Sequence, residues 1–180
     1  MEMTREQVRD GLRAARYITT ARVETALFLA LVLEKPLLAE GPAGAGKTEL
    51  AKVLAEMLHT DLIRLQCYEG LDEARALFEW NYQKQLLRIQ ADRAEGRGWD
   101  EVSHHIFSRE FLLERPLLRA ITASRRVVLL IDEVDKADPE FEAFLLEMLS
   151  VAVRVLWTVS RPNHATAFSF ARIARGVQWS

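Results

Sequence analysis

Residues 40–57 read EGPAGAGKTELAKVLAEM, and this stretch sets the fold. Gly41, Gly46, Lys47 and Thr48 stand in the pattern Gly-x-x-x-x-Gly-Lys-Thr. Just before it, Leu37-Leu38-Ala39 is a short apolar run that reads as a strand. After it, Leu50, Ala51, Val53, Leu54, Met57 and Leu58 recur at helical spacing between Lys47 and His59. The order is strand, glycine loop, helix. A loop in that setting turns its amide N–H groups toward one point, where the helix N-terminus adds partial positive charge. Gly41, Gly44 and Gly46 allow backbone conformations that a side chain would forbid. The pattern predicts a phosphate cradle made by Gly41, Pro42, Ala43, Gly44, Ala45, Gly46, Lys47 and Thr48. Lys47 is placed to reach the outer phosphates of a nucleotide, and the Thr48 hydroxyl to ligate Mg²⁺.

A second signal lies in RRVVLLIDEVDKAD, residues 125–138. Val127–Ile131 is an unbroken apolar run of the kind found in strands buried on both faces. It ends in Asp132-Glu133, which puts two carboxylates at the C-terminal edge of a sheet, where open α/β folds bind ligands. Asp132 is the candidate metal residue, and Glu133 the candidate catalytic residue that polarises an attacking water. A water-activating glutamate would be counterproductive in a phosphotransferase, which must keep water from the γ-phosphate. The pair therefore favours hydrolysis coupled to conformational change. Asp135 and Lys136 read either as part of the same polar edge or as a solvated helix start.

The rest of the chain alternates in the same way. Helices are expected over Arg5–Arg16, with Thr4 as N-cap, and over Ala21–Leu33, apolar enough to be well buried. Lys35-Pro36 closes the second. Asp61–Cys67 (DLIRLQC) alternates as a half-buried strand does. Helices are expected again over Glu69–Trp80, Tyr82–Glu95 and Phe107–Ala123, the last kinked or split at Pro116, with a loop at Gly96–His105. Pro139–Ser150 completes the set, proline first. Strands alternating with helices imply an α/β fold with a mainly parallel sheet.

Composition limits the function classes. A chain of 180 residues suits one domain, and 49% hydrophobic residues exclude disorder throughout. A net charge of −2 with no basic stripe gives no sign of a nucleic-acid partner. One cysteine, Cys67, rules out an internal disulfide framework and fits a reducing compartment. No apolar stretch is long enough for a membrane span and the N-terminus lacks a signal-peptide core, so a cytoplasmic location is expected. The adjacent His104 and His105 lack companion ligands and read as a solvated loop.

Four stretches, at residues 17–58, 64–90, 107–121 and 127–150, resemble the MoxR branch of the AAA+ ATPases. They are most similar to the accessory ATPases of molybdenum- and copper-dependent carbon monoxide dehydrogenase. The middle stretch, with Cys67-Tyr68-Glu69-Gly70 and Glu79-Trp80-Asn81-Tyr82, is more specific than the glycine motif. The resemblance implies a P-loop fold that takes ATP and Mg²⁺ and assembles into a homo-oligomeric ring. It also implies a chaperone role, remodelling a client metalloenzyme or helping to insert its cofactor. Gly41–Thr48 would hold phosphates, Asp132 would serve the metal and Glu133 would activate water. Tyr17 and Ile18, just before the second helix, would touch adenine, unless they are simple hydrophobic packing. Gln66 would sense nucleotide state beside Glu133, or else be a surface glutamine. Glu69–Gln90 would form an inter-subunit or client surface, or else part of the core.

The chain departs from the family after Ser150. The resemblance implies a strand ending in Thr-Ser-Asn, an arginine finger and a helical lid; residues 151–180 instead read VAVRVLWTVSRPNHATAFSFARIARGVQWS. That tail has no Asp, Glu or Lys, and all 26 acidic residues lie at or before Glu147. The expected division is a nucleotide-binding core over 1–150 and an atypical tail over 151–180, without a recognisable lid. Two readings of the tail stand: an out-of-frame or truncated end, or a shortened strand over Val153–Val159 with Asn163 as a displaced water-positioning residue. Arg154, Arg161, Arg172 and Arg175 are finger candidates by residue type. A finger is worth roughly 10³–10⁵ in rate, so its loss would leave a domain that binds nucleotide without efficient turnover. A P-loop phosphotransferase is the weaker alternative.

Overall fold

The computed structural model describes residues 3–151, apart from Ala43 and Arg97, together with residues 155–161. Thr4 opens α1 (Arg5–Ala14) through a capping box with Gln7. Thr20 caps α2 (Ala21–Leu33), which ends at Glu34 in the left-handed conformation, just before Pro36. The chain continues through β1 (Leu37–Glu40), the glycine loop, α3 (Lys47–Met57) and β2 (Leu62–Gln66). Next come α4 (Glu73–Leu77), β3 (Phe78–Trp80), α5 (Tyr82–Ala94), α6 (Trp99–Ile106), a 3₁₀ turn at Arg109–Phe111 and β4 (Leu112–Glu114). The last elements are α7 (Pro116–Ile121), β5 (Val127–Asp132), a 3₁₀ turn at Val134–Lys136, α8 (Pro139–Val151) and β6 (Val155–Arg161).

The strands β1, β6, β5 and β2 lie side by side in that order, and every pairing is parallel. The expected α/β architecture with a parallel sheet is what the chain adopts. Each residue of β5 is buried, because helices cover both faces of the sheet. Val128 and Leu130 point into one layer, with Val8, Leu12, Leu27, Leu50 and Leu54 of the first three helices. Val127, Leu129 and Ile131 point into the other, with Leu117, Phe141 and Leu145 of α7 and α8. The period-two alternation of a strand divides one apolar run between two cores. Burying one such leucine contributes about 1.5–3 kcal/mol.

The register brings Gln66, Asp132 and Ser160 level with one another, and Glu40 level with Arg161. All four strands therefore end at one edge, and the glycine loop leaves β1 there. β6 occupies the place of the strand expected over Val153–Val159 and separates β1 from β5. Residues 162–180, including Asn163, Arg172 and Arg175, lie outside the described residues, as does Arg154.

Several local expectations are corrected. The segment expected as one helix over Glu69–Trp80 is helical only at Glu73–Leu77; Phe78–Trp80 pairs antiparallel with Leu112–Glu114. Phe107–Ala123 is accordingly a 3₁₀ turn, a strand and a short helix, with Pro116 at the first turn of α7. The polar segment read as a loop at Gly96–His105 contains most of α6, whose Val102 and Ile106 are buried four residues apart. α2 is less buried than its composition suggests. Leu27, Ala30 and Leu31 face the core, whereas Leu29, Val32 and Leu33 are about half exposed. An apolar helix lying on one surface can bury only the side that meets its neighbours.

Candidate functional site

Gly44 and Gly46 both sit at positive φ, +80° and +81°, and Gly46 immediately precedes α3. The left-handed turn at Gly46 aims the first amides of α3 back into the loop, which is what a phosphate needs. Lys47 folds over this loop and donates from Nζ to the carbonyls of Gly41 (2.7 Å) and Pro42 (2.8 Å). Thr48 Oγ1 donates to Asp132 Oδ2 at 3.3 Å, so the helix start and the tip of β5 meet directly. Ala43 lies outside the described residues.

Asp132 is only 5% exposed, and a carboxylate so placed needs partners. Besides Thr48 it accepts from Arg64 Nη2 at 2.6 Å. The next residue, Glu133, is in the left-handed conformation at φ 55°, uncommon for a side chain of that size. The turn swings its carboxylate to Gln66 Nε2 and Lys136 Nζ, each 2.7 Å from Oε2. The bond to Glu133 raises the Lys136 ammonium above its ordinary value and keeps it charged. A cavity of about 470 Å³ joins residues 44–49 of the loop to Arg64, Asp132, Glu133, Asp135 and Lys136. That volume suits a polyphosphate and its counter-ion. Thr48 and Asp132 are adjacent oxygen donors of the kind Mg²⁺ takes while keeping several waters, so the donor set fits the metal.

Tyr17 reaches the loop from the other side. Its hydroxyl donates to the Gly46 carbonyl at 3.2 Å, and its phenol is pushed above the ordinary value by burial and then by Glu49. Ile18, read with it as an adenine contact, is 97% exposed and does not line the cavity.

The AAA domain family profile matches residues 33–159, more than two thirds of the chain and the whole of this site except Tyr17 and Ile18. The chain belongs to the AAA domain family. Relatives of this AAA domain include an uncharacterised protein of Staphylococcus aureus (strain bovine RF122 / ET3-1). It is 29% identical over 108 residues, covering 60% of this chain and 34% of that protein. A second, from strain USA300, is 28% identical over the same length. The AAA domain chain thus spans about a third of the length of the curated relatives it matches. Among solved structures, a proposed ATPase from Cytophaga hutchinsonii ATCC 33406 superposes with a TM-score of 0.53. Its sequence identity is 15%, over 90% of this chain and 45% of that one, and the likeness is one of fold. Among the described residues no helix is long and apolar enough to cross a membrane.

Within this AAA domain, the loop, Lys47, Thr48, Asp132 and Glu133 converge on one cavity, and Gln66 touches Glu133. Arg64 escaped notice, whereas Lys136, read either as part of the polar edge or as a solvated helix start, reaches Glu133 and lines the cavity. The signal for Arg64 was the alternation of DLIRLQC, which puts Arg64 and Gln66 on one side of β2 and Ile63, Leu65 and Cys67 on the other. Cys67 is buried, and its thiol is pushed up to about 12 by burial and then by nearby carboxylates, Asp132 first. Such a thiol is chemically quiet. His105 stacks edge-on against Phe111 and lies 3.7 Å from Glu110, away from the cavity.

Proposed function

We propose that this chain is the nucleotide-binding core of a MoxR-type AAA+ ATPase that binds ATP with Mg²⁺ and hydrolyses it. The observation that carries the reading is the meeting of Lys47, Thr48, Asp132 and Glu133 around one cavity at the carboxyl ends of the strands. Loop amides and Lys47 would grip the phosphates. Mg²⁺, held by Thr48 and Asp132, would offset charge on the phosphate oxygens. Glu133 would accept the proton of the water that attacks the γ-phosphorus, as the bond to the bridging oxygen breaks and ADP leaves. Tyr17 would brace Gly46 and offer its ring at the adenine end of the cradle; the assignment of Ile18 rests on the resemblance alone. The core would comprise residues 1–150 with β6 laid between β1 and β5. Assembly into a homo-oligomeric ring and service to a client metalloenzyme rest on the resemblance of residues 64–90. Arg161, at the end of β6, is the one finger candidate among the described residues.

One observation favours a second reading, nucleotide binding with little turnover. Glu133 Oε2 already accepts from both Gln66 and Lys136, so that oxygen is engaged by the protein rather than free to meet an incoming water. Steady-state turnover at saturating ATP separates the two. The main reading expects hydrolysis that Glu133→Gln abolishes while ATP binding persists. Binding without turnover in the unaltered protein selects the second reading. A shift to a multiple of the chain mass on gel filtration in ATP would support the ring, and an unchanged elution would count against it.

A further inference from the structure

We propose that Arg64 is a latch that competes with the divalent cation for Asp132. The inference rests on the nucleotide reading given above. It starts from a single atom: Arg64 Nη2 donates both to Asp132 Oδ2, at 2.6 Å, and to Gln66 Oε1, at 2.5 Å. Gln66 Nε2 in turn donates to Glu133 Oε2 at 2.7 Å. The metal carboxylate and the water-activating carboxylate are thus joined through two side chains of β2.

This relay has a direction. Because Arg64 can only donate, Gln66 must present its oxygen to Arg64 and its amide nitrogen to Glu133. Holding Arg64 therefore fixes Gln66 as a donor on the general base. A guanidinium and a divalent cation cannot share one carboxylate oxygen without strong like-charge repulsion, and Asp132 is too buried for water to screen it. When the metal position fills, Arg64 has to leave. It has somewhere to go, because it lines both the phosphate cavity and a second cavity of about 800 Å³. Its side chain is already 53% exposed, so the swing needs no repacking of the core.

The test is the ratio of the dissociation constants of a fluorescent ATP analogue measured in EDTA and in excess Mg²⁺. With the competing cation removed in Arg64→Gln, the advantage given by Mg²⁺ should grow about 3- to 10-fold, the range expected for a half-exposed charge-assisted contact. Arg64→Lys keeps the charge and should stay within about twofold of the unaltered protein by the same contact scale. Arg64→Met repeats the neutralisation if the glutamine variant does not fold. An unchanged or smaller ratio in the neutral variants overturns the latch and leaves the nucleotide reading standing. Absence of analogue binding in either condition, with the unaltered protein folded, removes that reading and the latch with it.

Discussion

Gly46→Ala puts the cradle's geometry under a quantitative test. At φ +81° an alanine adopts the left-handed region, at a cost of about 1–2 kcal/mol relative to glycine. The added Cβ would lie 3.4 Å from Tyr17 Oη and 3.5 Å from Tyr17 Cε2, contact distances that add little strain of their own. For a chain of this size each kcal/mol corresponds to about 2–4 °C, so melting should fall by about 2–8 °C. If the backbone instead relaxes to negative φ, the melting temperature recovers but the first amides of α3 swing off the phosphates. Losing one charge-assisted bond of about 1.5–3 kcal/mol weakens nucleotide binding at least roughly tenfold. Gly70→Ala is the matched control, at φ +79° with nothing within 4 Å of its Cβ and outside the phosphate cavity. It should cost the same stability and leave affinity intact. Thermal melts and equilibrium nucleotide binding on both variants decide the matter. Full affinity and full stability in Gly46→Ala, or equal loss of affinity in Gly70→Ala, would refute the reasoning.

Leu130→Ala removes a side chain that is 0% exposed between α3 and the sheet, and should cost about 2–5 kcal/mol in urea unfolding. A cost below about 1 kcal/mol would mean that β5 is not packed on both faces, since even Ile→Val in a core reaches that size. Cys67 should react with a thiol reagent at pH 8 far more slowly in the folded protein than after unfolding. With the folded thiol at about 12 against 9.0 unfolded, ionisation favours the unfolded chain as pH rises from about 9 toward 12. Stability should therefore decline over that window, with a smaller slope in Cys67→Ala; equal slopes would contradict the assignment.

The fold was legible where one signal ran long enough to be unambiguous. α3 carries six apolar positions at helical spacing, and β5 is a run that only a doubly covered strand explains. The insert between α4 and α7 was not legible, for a physical reason. Phe78–Trp80 and Leu112–Glu114 are three residues each, too short to show a period, and each becomes a strand only because the other is opposite it. α6 was hidden by the glycines just before it and by its histidines, with Val102 and Ile106 as its buried apolar residues. At the site, the residue types of the glycine loop and of Asp132-Glu133 announce their chemistry. Arg64 does not, since an arginine on the polar side of a strand reads as solvated until its partner is known from another strand. Gln66 could be placed beside Glu133 only through the family resemblance, and the register of β2 against β5 supplies the physical basis.

The central claim is that the loop and Lys47 hold a triphosphate beside Thr48 and Asp132. Equilibrium binding of labelled ATP in Mg²⁺, on the unaltered chain and on Lys47→Ala, tests it most directly. The account predicts saturable binding to one site per chain, lost in a Lys47→Ala protein that still melts cooperatively. No saturable binding, or equal binding by the variant, would contradict it.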